Sequence, residues 1–90
     1  MSCTDPLRVV CSPGLPDFRL NLHPNDGADL GLMTIRHSVD LDGGSPVEVR
    51  LLNECPAGRL EIGTRFWDRI GRPERVMLSL EGETLSFKTV

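Results

Sequence analysis

The residue types best suited to chemistry are concentrated in residues 59–75. This segment holds five arginines against three acidic residues, and Phe66 and Trp67 lie at its centre. The planar guanidinium of arginine forms bidentate and stacked contacts, and arginine and tryptophan dominate the binding energy of protein interfaces. The same residue types stack on nucleic-acid bases. The segment therefore predicts a binding surface rather than a reaction centre, with these candidate residues: Arg65, Trp67, Arg69 and Arg72.

The local structure of residues 60–70 decides how these side chains are presented. As a strand, which the alternation favours, the segment places Arg65, Trp67 and Arg69 on the face opposite Phe66. As a helix, it places apolar residues at a spacing of four, with a possible N-cap and a glycine past its end: Ile62, Phe66, Ile70, Thr64 and Gly71. In the strand reading, Trp67 is either part of an exposed patch or packed in a cation–π pair on a barrel's outer face.

Catalytic and metal-binding patterns are not evident. The chain has no Gly-x-Ser-x-Gly context, no Cys-x-x-Cys and no His-x₃-His spacing, and its histidines are His23 and His37. A domain of this size also lacks an obvious water-excluding cleft. We therefore expect no enzyme activity, no metal and no cofactor.

The three cysteines are Cys3, Cys11 and Cys55, an odd number that does not suit a disulfide framework. The first residues show neither a basic region nor an apolar core of a signal peptide. We expect reduced thiols and a cytoplasmic location, with a Cys3–Cys11 bridge as the alternative. No apolar run is long enough to predict a transmembrane helix, so no membrane association is expected.

The charge balance bears on the class of partner. The chain has 90 residues, a net charge of −3 and a pI near 5.2, which argues against a dedicated nucleic-acid binder. Residues 1–45 hold three arginines and six aspartates, whereas residues 46–90 are balanced, with seven basic and seven acidic residues.

Short alternating segments are the main signal for the fold. Residues 17–22 place Phe18, Leu20 and Leu22 on one face, and residues 30–41 alternate in the same way after a predicted turn at residues 23–27. Residues 42–46 read as a loop. The pattern predicts an all-β fold, a single small β-barrel or sandwich of seven to eight short, mostly antiparallel strands. One domain spans residues 1–90, in which residues 1–16 form a Pro- and Gly-rich segment with one short strand. No internal repeat is evident.

Residues 47–76 carry a resemblance to a known family. They read Val49-Arg-Leu-Leu, then Pro56, then Ile62-Gly-Thr-Arg-Phe-Trp-Asp-Arg-Ile-Gly. This pattern resembles the C-terminal β-barrel domain of elongation factor Tu and related translational GTPases, in which a Gly-x-Arg-Phe strand precedes a hairpin turn. The matching positions are Gly63, Arg65, Phe66, Arg69 and Gly71. The chain departs from the family after Gly71 and has no phosphate-binding loop. The resemblance implies a stand-alone barrel that contacts RNA or protein without catalysis.

Together these features predict a non-catalytic interaction module, a small β-barrel that binds a protein partner. The alternatives are an accessory RNA- or ribosome-associated factor and a small inhibitor or immunity protein. The oligomeric state is either monomer or homodimer, because edge strands with few lysines leave self-pairing open.

Overall fold

Short strands form most of the regular structure in the computed structural model, which describes residues 2–41 and 44–90. The described elements are, in chain order, β1 (Ser2–Cys3), β2 (Leu7–Cys11), β3 (Arg19–Leu22), α1 (Pro24–Asp29), β4 (Arg36–Leu41), β5 (Pro46–Leu51), β6 (Arg59–Ile62), α2 (Thr64–Arg69), β7 (Arg75–Glu81) and β8 (Thr84–Thr89). Strands β2–β8 close into a seven-stranded barrel, and β1 is one additional strand. The predicted fold class is therefore confirmed.

The barrel is built around a central antiparallel pair, β3 and β6. Each of these strands has a parallel neighbour on its other side, β5 beside β3 and β2 beside β6. Antiparallel pairs β4–β5 and β2–β7 extend the sheet outward. Strand β8 closes the barrel by pairing parallel to β4 and antiparallel to β7. Five of the eight described strand pairs are antiparallel and three are parallel, which agrees with the prediction of mostly antiparallel strands.

The chain folds as two ββαβ units, β2–β3–α1–β4 and β5–β6–α2–β7, that are offset by 40 residues. Two backbone hydrogen bonds between neighbouring strands are related by the same offset of 40 residues. The Arg8 N–H donates to the Gly58 carbonyl at 2.9 Å, and the Glu48 N–H donates to the Phe18 carbonyl at the same distance. Asn21 and Glu61, which are 40 residues apart, pair at the centre of the β3–β6 ladder. The prediction of no internal repeat is thus wrong for the fold.

A continuous apolar core fills the barrel. Alternate residues of the strands point inward, and Phe66 of α2 joins them with only 1% of its surface exposed. The Phe66 ring meets Phe87 edge-on, with the ring centroids 5.5 Å apart. The largest fully buried side chains are Phe66, Leu7, Leu20, Leu22, Leu60, Ile62, Leu78, Leu85, Val47, Val49, Val76 and Cys55.

Helix α1 replaces most of the turn predicted at residues 23–27, and residues 30–35, the first part of the strand predicted over residues 30–41, form turns and irregular backbone after the helix. His23 caps the helix, because its Nδ1 accepts a 3.1 Å hydrogen bond from the Asn25 N–H, and Pro24 suits the first helical turn. The helix ends at Asp29 with Leu30 as its C-cap, and Gly31 follows in the left-handed region with a φ of 80°. Only Arg36–Leu41 is extended, as β4. The alternation at residues 30–35 therefore does not correspond to a strand.

Helix α2 settles the ambiguity of residues 60–70. Strand β6 ends at Ile62, and Thr64–Arg69 is helical, so the favoured strand reading is wrong beyond Gly63 and the helical alternative holds. Gly63 serves as the N-cap because a Cβ there would lie 2.9 Å from the Leu15 carbonyl oxygen. The Gly-x-Arg-Phe residues that the family resemblance places on a strand lie at this cap and in the helix.

The N-terminal segment and one loop also differ from expectation or fall outside the description. Residues 2–16 contain two strands, β1 and β2, rather than one. Residue 1, and residues 42 and 43 of the loop predicted at residues 42–46, lie outside the described residues. All three cysteines are free thiols, and Cys3 does not pair with Cys11.

Candidate interaction site beside helix α2

Trp67 is the anchor of the candidate site. Its indole is half-buried, packs against the core and donates a 3.1 Å hydrogen bond from Nε1–H to the Pro73 carbonyl. The Arg72 guanidinium lies 5.4 Å from the ring centroid and forms an ion pair with Asp68, one helical turn back. The hydrogen bond and the charge of Asp68 raise the pKa of Arg72, and the guanidinium is held over the indole as a cation–π partner. Trp67 is therefore held in one orientation.

Arg65 and Arg69 lie on the other side of α2. Residues two apart on a helix diverge, whereas residues four apart share a face. Arg65 is 84% exposed and pairs with Asp17 at 3.1 Å. Arg69 donates to the Ser45 hydroxyl at 3.0 Å and stacks over Phe18 at 5.2 Å.

The four predicted residues therefore form two separate pairs. The structure brings Trp67 and Arg72 together and keeps Arg65 and Arg69 apart from them. The prediction that Arg65, Trp67 and Arg69 share one face is wrong, because it assumed a strand where the chain is helical. Trp67 does form a cation–π pair, but Arg72 supplies the cation.

A cleft of about 400 Å³ opens beside Trp67. Strand β2 forms one wall, Trp67 forms another, and the loop that leads into β7 completes it. Its lining combines three apolar residues with three charged ones: Val9, Trp67, Pro73, Arg8, Glu74 and Arg75. The cleft is therefore able to accept an apolar group and an anionic group side by side.

Three arginines cross the outside of the barrel at the edge of this cleft. Arg8 of β2 lies directly opposite Arg59 of β6 on one side and Arg75 of β7 on the other. We call these three residues, Arg59, Arg8 and Arg75, the arginine row. Within the described residues, the ion pairs of 4 Å or less involve other arginines only. The row is thus a concentration of positive charge in which, within the part of the chain that the structure describes, no arginine has an ion-pair partner within 4 Å.

The row lies on the half of the barrel formed by β2, β6 and β7, and the other half, formed by β3, β4 and β5, has a neutralised counterpart. The Glu48 carboxylate forms ion pairs with Arg19 at 2.9 Å, Arg36 at 3.3 Å and Arg50 at 3.5 Å. Desolvation acts to raise the pKa of Glu48, but the Arg19 hydrogen bond and the charges of the three arginines outweigh it and hold the pKa below 4.5. The 40-residue offset matches Glu48 with Arg8 and Arg19 with Arg59.

Sequence reasoning missed Arg8, Arg59 and Arg75 as candidate residues. Their proximity depends on strand register, which places residues 8, 59 and 75 side by side although they lie far apart along the chain. The signal that could have revealed Arg8 is an alignment of residues 7–41 with residues 47–81 at an offset of 40, in which Arg8 corresponds to Glu48.

Cys55 contributes to the structure of the barrel rather than to the cleft. Its thiol is buried and donates weak hydrogen bonds to the carbonyls of Asn21 and Arg59, at 3.7 and 3.6 Å. Burial, with a smaller contribution from the charge of Glu61, raises the pKa of Cys55 to about 11. A thiol in this state is a poor nucleophile.

Comparison of the chain with protein-family models, with curated proteins and with solved structures found no match. Across the described residues, no group of three or more histidine, cysteine or acidic side chains is arranged to hold a metal ion. Neither helix in the described part of the chain is long and apolar enough to cross a membrane.

Proposed function

We propose that this protein is a non-catalytic interaction module that binds a protein partner at the cleft beside α2. The observation that carries the proposal is Trp67, a half-buried indole in the wall of a 400 Å³ cleft, fixed by the Pro73 carbonyl and by Arg72. Tryptophan and arginine in a preformed pocket are typical of interface hot spots. Because the indole is already ordered, little conformational entropy is lost when a partner binds.

The four candidate residues take different roles in this proposal. Trp67 contacts the partner, and Arg72 positions the indole and adds positive charge at the rim. Arg65 and Arg69 already bind Asp17 and Ser45 on the other side of the helix, so they do not take part in the cleft.

A protein is favoured over a nucleic acid because two acidic side chains interrupt the positive charge at the site. Glu74 lines the cleft, Asp68 lies beside Arg72, and the whole chain carries a net charge of −3. A phosphodiester backbone needs a continuous cationic path, which these acids interrupt. The arginine row is the one observation that favours the RNA- or ribosome-associated alternative, and salt dependence separates the two. An inhibitor or immunity protein is a special case of protein binding.

The test is affinity capture from the native extract with the tagged protein, at low and moderate salt, with and without nuclease. Trp67→Ala removes the indole, Trp67→Phe keeps a smaller aromatic ring without the hydrogen bond to Pro73, and Arg72→Gln removes the cation on the ring. Arg36→Gln is the control, because Arg36 is a 67% exposed arginine in the other half of the barrel.

We expect the wild type to capture a protein partner whether or not nuclease is present, and the Arg36→Gln variant to capture the same partner. Trp67→Ala should weaken binding by about 2 kcal/mol or more, which is roughly thirtyfold or more. Circular dichroism confirms that each variant is folded. Capture that nuclease abolishes, or that folded Trp67→Ala and Arg72→Gln variants retain in full, would contradict the proposal.

A further inference from the structure

The arginine row carries an electrostatic cost that the fold itself does not relieve. Like charges directly opposite one another on neighbouring strands are destabilising, and Arg8 faces an arginine on both sides. At the equivalent position of the other half, Glu48 lies opposite Arg19 and neutralises it at 2.9 Å. The barrel therefore accommodates an acid paired with an arginine at this position, but the equivalent position in the other half holds Arg8 instead.

The departure coincides with the cleft. Arg8 and Arg75, two of the three arginines in the row, line the cleft together with Trp67. The counterpart of Arg8 in the other half, Glu48, does not line any of the three main surface clefts of the described residues. Uncompensated positive charge and a concave surface thus coincide beside Trp67.

We infer that the cleft binds an acidic segment of the protein partner. Its carboxylates lie on the arginine row, and a neighbouring apolar side chain packs between Val9, Trp67 and Pro73. The inference rests on the proposed function and specifies the chemistry of the partner.

The spacing of the row suits carboxylates on an extended peptide. Neighbouring strands lie about 4.8 Å apart, so the three arginines span roughly 10 Å at the backbone. Alternate residues of an extended chain are about 6.7 Å apart and project to the same side. Two acidic residues separated by one residue therefore fit the row, and an apolar residue two positions further along projects to the same side, toward the cleft. Each arginine is able to bind a carboxylate in a bidentate manner.

Glu74 argues against a polyphosphate in the same place. It lines the cleft between Pro73 and Arg75, so a backbone with a charge on every unit would meet it. A peptide avoids this repulsion by placing an uncharged residue there.

Titration with synthetic probes tests the inference. The reporter is the fluorescence of Trp67, the only tryptophan of the chain, and calorimetry supplies an independent affinity. The probes are an acetylated, amidated hexapeptide with Glu at its first and third positions, Leu at its fifth and Ser elsewhere, the same peptide with Gln in place of Glu, inorganic phosphate, and an octamer of uridylate. The variants are Arg8→Gln, Arg75→Gln and Arg8→Glu, with Arg36→Gln as the charge-matched control for the glutamine variants.

The Glu peptide should bind the wild type at least about tenfold more tightly than the Gln peptide, as expected when a charge-assisted hydrogen bond is lost. Arg8→Gln and Arg75→Gln should each weaken binding of the Glu peptide by about tenfold, and Arg36→Gln should leave it unchanged. Arg8→Glu should abolish this binding and remain folded, since Glu48 shows that the barrel accepts a glutamate opposite an arginine there.

Equal affinity for the Glu and Gln peptides, or no binding of the Glu peptide, would overturn the inference. Binding of the uridylate octamer or of phosphate that depends on Arg8 and is tighter than binding of the Glu peptide would also overturn the inference. If the Arg8→Gln variant still captures the partner and the Trp67→Ala variant does not, the claim that the partner binds through an acidic segment is refuted. The proposed function then remains intact. A captured partner insensitive to both substitutions would refute both proposals.

Discussion

Glu48 and Arg8 occupy equivalent positions in the two halves of one barrel but carry opposite charges. Each donates its backbone N–H to a residue at the start of the facing strand, Glu48 to Phe18 and Arg8 to Gly58, both at 2.9 Å. Glu48 lies opposite an arginine and binds it, whereas Arg8 lies opposite two arginines. A repeated backbone therefore carries a stabilising ion cluster on one side and a charged cleft on the other.

The Glu48 cluster predicts how stability depends on pH. Because the folded state holds the pKa of Glu48 below 4.5, its stabilising contribution is present above that value and is lost as the pH falls through the folded pKa. Glu48→Gln should unfold at a lower temperature than the wild type at pH 7, and the gap should narrow as the pH falls below about 4. Thermal unfolding at several pH values measures this gap. A gap that is constant from pH 7 to pH 3 would show that the charge of Glu48 is not its cause.

Asp26 predicts a second effect on stability. Its buried carboxylate accepts a 2.8 Å hydrogen bond from the Gly58 N–H, which joins α1 to the start of β6. Asp26→Ala should lower the free energy of unfolding by about 1–3 kcal/mol, because it leaves this donor without a partner. Asp26→Asn keeps an acceptor and should recover part of the loss. Chemical denaturation measures both, with exposed Asp29→Ala as the control; equal effects at positions 26 and 29 would refute the assignment.

Phe66 should be the most sensitive position of α2. It occupies the place that Asp26 has in α1, but it packs on Phe18, with the ring centroids 5.9 Å apart, and on Phe87. Phe66→Ala should destabilise the barrel by about 3–5 kcal/mol, through lost burial and a cavity in the core. Val90→Ala is the control, because Val90 is 61% exposed and should change stability little. Equal unfolding midpoints for the two variants would contradict the assignment of Phe66 to the core.

Alkylation should distinguish the thiols of the native protein. Cys55 is buried and its pKa is raised to about 11, whereas Cys3 is exposed. Iodoacetamide at pH 8 should therefore modify Cys3 readily and Cys55 only after denaturation. Peptide mass spectrometry assigns the modified residues. Modification of native Cys55 at the rate of Cys3 would show that the β3–β6 region opens to solvent.

The barrel could be predicted from the sequence because its strands carry a period of two. Leu20, Leu22, Val47 and Val49 point inward as their alternation predicts, and each is buried. Both helices were harder to predict because six residues hold fewer than two full turns, too few to show a clear helical period. Helix α1 also begins with Pro24 and contains Asn25 and Asp26, residues that are equally typical of turns.

The site could be predicted only where it is local in sequence. Trp67 and Arg72 are five residues apart, and the composition of their segment identified both. Arg8 could not be linked to them because its proximity follows from the parallel β2–β6 pairing and the antiparallel β2–β7 pairing. Pairings between distant strands leave no local pattern in a single sequence. The repeat was equally hidden, since the two halves conserve backbone geometry while exchanging charge, as Glu48 and Arg8 show.

The central claim is that a partner segment lies against Trp67 and the arginine row. The most direct measurement is a ¹⁵N–¹H correlation spectrum of the labelled protein during titration with the Glu peptide. Trp67 gives the single indole Nε1–H signal of the chain, and that signal and the amides of Arg8, Val9 and Arg75 should shift together and saturate. The amides of Arg36 and Glu48 in the other half should stay in place. Saturable shifts confined to that half, or a Trp67 indole signal that does not move, would contradict the account.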